Sequence, residues 1–154
     1  MAYILLVVFL LLMATAAATD VAQYKIPNWI SLSVAVCFAL YALFAGMAWP
    51  VLVMHLLTGA AILLLGFGLF ALGAIGGGDA KLFAAASLWF GWPGVTDYAL
   101  WVALSGGVLA LVILLVRRLP LKNGPKILPK VFNPQSGIPY GVALFMGALI
   151  KINI

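Results

Sequence analysis

Charge is what this sequence has least of. Only 7% of its 154 residues are charged, and the acids number three, Asp20, Asp79 and Asp97. A water-soluble fold of this length needs a polar surface that such a composition does not supply. Cysteine is nearly absent too. Cys37 stands alone, which excludes an internal disulfide and a CxxC zinc site and makes thiolate metal or redox chemistry unexpected. The formal charge of +5 suggests nucleic acid until the cations are located. They flank apolar runs, so they speak for membrane topology, with lipid rather than nucleic acid as the partner.

What is abundant is apolar sequence, 67% of the chain. Runs long enough to cross a hydrocarbon core of about 30 Å recur along it, which predicts an all-α, polytopic membrane bundle of one domain. The first run, residues 2–19, carries no charge and would rise about 27 Å. Its small-residue tail imitates a signal-peptide cleavage region, but the basic n-region is missing, so a retained first helix is expected. Pro27 then marks a turn. A second helix is expected over 28–46, with Trp49-Pro50 as an interfacial turn, and a third over 51–75. The fourth, over 79–92, would rise only about 21 Å, short of the usual core. Trp92-Pro93-Gly94 should close it before a fifth helix over 98–116. The polar stretch from Arg117 to Gly137 carries Pro120, Pro125, Pro129 and Pro134, which argue against regular helix. A sixth helix is expected over 138–152.

Six spans put the connections after the first, third and fifth helices on one face. That face holds Lys25, Lys81, Arg117, Arg118, Lys122, Lys126 and Lys130, and the other holds only Lys151. By the positive-inside rule the first face is cytoplasmic and both chain ends lie outside. Asp20 and Asp79 then share the cytoplasmic side, while Asp97 falls on the other.

Two carboxylates brought to one side of a bundle by different helices meet the requirement of an aspartic protease. Close together they cannot both ionise at neutral pH, so one activates water while the other donates to the scissile carbonyl. Acids at membrane depth are costly and mark functional sites by default. Asp79 opens a helix, where the dipole favours an anion, and Asp20 closes one, where it does not. Gly76, Gly77 and Gly78, which precede Asp79, lack Cβ atoms and would let a substrate backbone come close. No metal or organic cofactor is needed for this chemistry.

At these residues the chain resembles a known family. Asp20 followed by Ile26-Pro27-Asn28, then Gly76-Gly77-Gly78-Asp79-Ala80-Lys81-Leu82, then Gly137-Ile138-Pro139-Tyr140-Gly141 is similar to the type IV prepilin peptidases, GxGD-type intramembrane aspartic proteases. The resemblance is closest to the short form that serves Flp/Tad pilus systems, and it runs in order along nearly the whole chain. It implies removal of the short basic leader of prepilins, just before their hydrophobic segment, at the cytoplasmic face of the bacterial inner membrane, with Asp20 and Asp79 as the catalytic pair. Long forms of the family carry paired CxxC motifs in an extra cytoplasmic domain and also N-methylate the new pilin terminus. Here the first cytoplasmic connection spans about eight residues and Cys37 lies mid-helix, so neither a zinc domain nor a methyltransferase domain is expected.

Other residues have plainer readings beside the functional one. Lys25 and Lys81 lie near the acids and are candidates for substrate contact, or are interfacial anchors. Asn28 and Tyr140 have polar groups within reach of the cleft, though Asn28 also suits the cap of the second helix. Pro139 and Gly141 are expected to shape the start of the sixth helix, and the five tryptophans to anchor at interfaces. The basic loop suits anionic lipid headgroups. A serine-protease pairing of His55 with Ser105 has neither a glycine motif around the serine nor a third group. The rivals to a peptidase are a proton-coupled transporter and a non-enzymatic assembly subunit of a pilus or secretion system. A prepilin substrate and membrane lipid are the expected partners, and a homo-oligomer is compatible with the sequence.

Overall fold

The computed structural model describes residues 2–118 and 137–153. Among them are five helices and no strand: α1 (Ala2–Gln23), α2 (Asn28–Phe44), α3 (Trp49–Ala71), α4 (Gly77–Arg118) and α5 (Tyr140–Asn153). Three of these, α1, α3 and α4, are long and apolar enough to cross a membrane, while α2 and α5 are shorter apolar helices. The expected polar loop lies outside the described residues from 119 to 136.

The boundaries follow from a few residues. Tyr24 adopts a left-handed conformation, φ 56°, and its N–H donates to the Asp20 carbonyl at 2.8 Å, which ends α1 four residues later than the sequence reading placed it. Pro27, extended at φ −62° and ψ 139°, precedes α2. Trp49-Pro50 is not a turn. Both residues sit in the first turn of α3, where the missing proline N–H would have had no helical partner in any case. Gly73, at φ 71°, closes α3, with Ala74 N–H returning to the Leu69 carbonyl at 2.9 Å.

The expected fourth and fifth helices are the two legs of α4, 42 residues in all, and they join across a kink at Gly91 with φ 59° and ψ −174°. The bend therefore comes two residues before Pro93, at the residue that tolerates a positive φ. The ring centroids of Phe83 and Tyr98 are 5.3 Å apart. A straight helix would separate these residues by about 22 Å along its axis, so the two legs fold back on each other.

Each leg has its own neighbour. The first runs antiparallel to α3, with Gly59 against Leu88, Gly66 against Ala80 and Gly77 against Phe70. The second runs antiparallel to α5, with Gly147 against Val102 and Gly106 against Ala143. In a low-dielectric bundle such small residues let backbones approach closely. The core between the legs, α1 and α2 gathers Phe9, Met13, Ile30, Val34, Leu82 and Tyr98. Trp89 belongs to this packing, not to an interface belt: it stacks on Phe9 at 4.4 Å and donates its indole N–H to the Val34 carbonyl at 3.2 Å.

These pairings assign the helix ends. The end of α1, the starts of α2, α4 and α5, and the ends of α3 and α4 lie together, since Lys81 meets Asn28, Gly141 meets Asp20 and Arg117 meets Gly137. Lys151 lies at the other end of the bundle, 2.6 Å from Asp97.

Candidate active site

At the crowded end a cavity of about 310 Å³ opens between the α1–α2 connection and the start of α4. Asp20 and Asp79 both line it, 59 positions apart in sequence but delivered to one space. Gly76, Gly77 and Gly78 form part of its wall, as do Lys25, Asn28 and Lys81. Tyr140 does not line it. Its ring turns instead onto α4 at Gly106.

The two carboxylates sit differently. Asp20 is in the last turn of α1, 6% exposed, and its Oδ2 accepts a 2.7 Å hydrogen bond from the N–H of Gly141 in the first turn of α5. The helix end that disfavours an anion in the sequence reading is thus offset by the N-terminal N–H of another helix. Gly141 is required there, because a Cβ would stand 2.9 Å from that of Asp20 and 3.3 Å from the Ala16 carbonyl oxygen. Asp79 is in the first turn of α4. Its Oδ1 is buried with no hydrogen-bond partner.

The glycines before Asp79 serve the chain's own packing as well as the cavity wall. A Cβ on Gly78 would come within 3.1 Å of the Ile26 Cβ, and one on Gly77 within 3.3 Å of the Phe70 ring. This close approach brings the α1–α2 connection and α3 up to the aspartate. Asn28 is not a helix cap, as no side-chain cap closes α2. Its Oδ1 accepts from the Lys81 ammonium at 3.0 Å. No salt bridge joins Lys25 or Lys81 to Asp20 or Asp79 among the described residues.

Sequence reasoning missed two groups. One is the Gly141 N–H, invisible because its partner lies 121 positions away. The other is Tyr24, which lines the cavity with its hydroxyl buried and unpartnered. A tyrosine in a left-handed conformation is uncommon, and nothing in the local sequence announces it. His55 is occupied elsewhere, with Nδ1 2.7 Å from the Leu88 carbonyl oxygen and its ring on Phe38. Among the described residues no group of three or more histidine, cysteine, aspartate or glutamate side chains could hold a metal ion.

The family described as the type IV leader peptidase family matches residues 6–115, a stretch that holds both cavity aspartates. The chain belongs to the type IV leader peptidase family. No curated protein and no solved structure matches it significantly. Membership in this peptidase family, with three helices of membrane-crossing length and composition, makes the chain a membrane protein of a protease family.

Proposed function

We propose that this chain is an aspartic endopeptidase that removes the short basic leader from prepilins, with Asp20 and Asp79 as its catalytic pair. The observation that carries the reading is the shared cavity, into which two helices from distant parts of the chain each deliver one carboxylate. In the reaction one carboxylate, ionised, takes a proton from a water molecule as its oxygen bonds to the scissile carbonyl carbon. The other, protonated, donates to the carbonyl oxygen. Collapse of the tetrahedral intermediate breaks the C–N bond, and the proton taken from water passes to the leaving amine. Lys25, Lys81, Asn28 and the wall of Gly76 to Gly78 would bind the substrate backbone around the bond. Tyr140 stands outside that group, since its ring faces α4.

Orientation follows from charge. Lys25, Lys81, Arg117 and Arg118 belong to the end of the bundle that holds the cavity, and Lys151 to the opposite end. The positive-inside rule then puts the cavity at the cytoplasmic face of the inner membrane and both chain ends outside. Six crossings result when α4 counts as two. The Flp-type short form is the member of the family that a single-cysteine chain of this pattern suits.

The test is direct. Purified protein is incubated with a detergent-solubilised prepilin, and the product is read as a mass shift equal to the leader. Asp20→Asn and Asp79→Asn should each lower cleavage by about a thousandfold while the protein still inserts. Undiminished processing after both replacements would overturn the proposal. A wild type that cleaves nothing, but whose aspartates are needed for a proton gradient-driven flux, would favour a transporter.

A further inference from the structure

A second and larger space, about 550 Å³, lies along the first leg of α4, between α2 and α3. Both helices pack against α4. Its floor is made of small residues, Ala84 and Ala85 of α4, and Ala60 of α3 stands at the rim. At one end lies Leu88 of α4. At the other it shares Asn28 and Lys81 with the aspartate cavity. From Lys81 to Leu88, both of which line it, the groove measures about 10 Å, or two helical turns.

A stripe of small residues alone would suit any acyl chain. Ser31 argues otherwise. It lines this groove, is only 7% exposed, and its hydroxyl has no hydrogen-bond partner. A buried hydroxyl without a partner is destabilising, and a hydrocarbon tail offers it nothing. A peptide offers backbone carbonyls, and near a helix start also N–H groups that lack partners of their own.

We propose that this groove is the seat for the first two turns of the substrate's apolar helix, the segment that follows the scissile bond, with Ser31 hydrogen-bonding its backbone. The inference rests on the peptidase reading, because it takes the bond held between the two aspartates as the point from which the segment leaves. Continuity through Asn28 and Lys81 gives the segment its path. In lipid, where apolar burial between helices gains little, association depends on close packing and on polar contacts. The small-residue floor supplies the first and Ser31 the second. Ser31 is therefore a specificity residue, and the groove selects substrates whose first turns past the bond carry side chains small enough to meet Ala84 and Ala85.

The experiment compares a full prepilin with a peptide that ends shortly after the scissile bond. Ala60→Trp fills the groove from its exposed rim, and Leu64→Trp, on the same helix but outside the lining, is the control. The ratio of kcat/KM for prepilin to that for the peptide should fall by about tenfold with Ala60→Trp and stay constant with Leu64→Trp. Ser31→Ala should lower the same ratio through KM while leaving the melting temperature in detergent equal or higher, since it removes an unsatisfied buried group. A purely structural serine would lower melting temperature and both activities together, which would overturn the assignment. So would an unchanged ratio with Ala60→Trp, or a photo-crosslinker at position 60 that captures lipid and never prepilin. Failure of the wild type to cleave either substrate would instead sink the peptidase reading beneath it.

Discussion

Two oxygen atoms at the cavity have unmet hydrogen-bonding capacity, Asp79 Oδ1 and the Tyr24 hydroxyl. Buried polar groups in folded proteins are nearly always paired, so orphans beside a cleft point to an occupant. If a substrate or its water supplies the partner, Tyr24→Phe should leave the protein as stable as before and lower cleavage by about tenfold, read as kcat and KM against melting temperature in detergent. Gly141 is the opposite case, a position where nothing is missing and nothing can be added. A methyl group there would press on the Asp20 Cβ and the Ala16 carbonyl and pull away the N–H that holds the carboxylate. Gly141→Ala is expected to reduce cleavage at least as severely as Tyr24→Phe and to lower stability as well.

Among the elements, α4 decides the architecture. It contributes Asp79 at its start, packs on α3 with one leg and on α5 with the other, and turns on a single left-handed glycine. A side chain at Gly91 would both force a residue with a Cβ into that conformation and bring the Cβ within 2.8 Å of the His55 Nε2. Gly91→Ala should therefore cost about 2 kcal/mol or more, measured as a drop in melting temperature. The nearby ion pair matters far less. Lys151 meets Asp97 at 2.6 Å, but Asp97 is 56% exposed, so Lys151→Ala should change stability by no more than about 1 kcal/mol.

For the whole molecule, the distribution of cations is the basis of the proposed orientation. The proposed orientation puts the α2–α3 turn outside and the α3–α4 turn inside. In a Cys37→Ser background, an Ala48→Cys variant should react with a membrane-impermeant maleimide in spheroplasts, whereas Ala74→Cys should react only after permeabilisation. Both residues are exposed, so the barrier being read is the membrane rather than the fold. Reversed labelling would put the two aspartates on the outer face and detach them from a cytoplasmic substrate.

Much of this was legible without coordinates. Near-absence of charge and long apolar runs determined a helical membrane protein, because a backbone in hydrocarbon must satisfy its own hydrogen bonds. Rarity made the acids conspicuous, and three glycines in a row made Asp79 the first of them to notice. Beyond the meeting of Asp20 and Asp79, what remained hidden was contact between residues far apart in the chain. That Gly141 holds Asp20, that Trp89 packs among rings, that Asn28 answers Lys81 instead of capping its own helix, and that α4 folds at Gly91 and not at Pro93 all depend on which helices touch. Local composition fixes what each segment is free to do alone. Contacts across the bundle, made at close range between backbones, decided which of those freedoms were used.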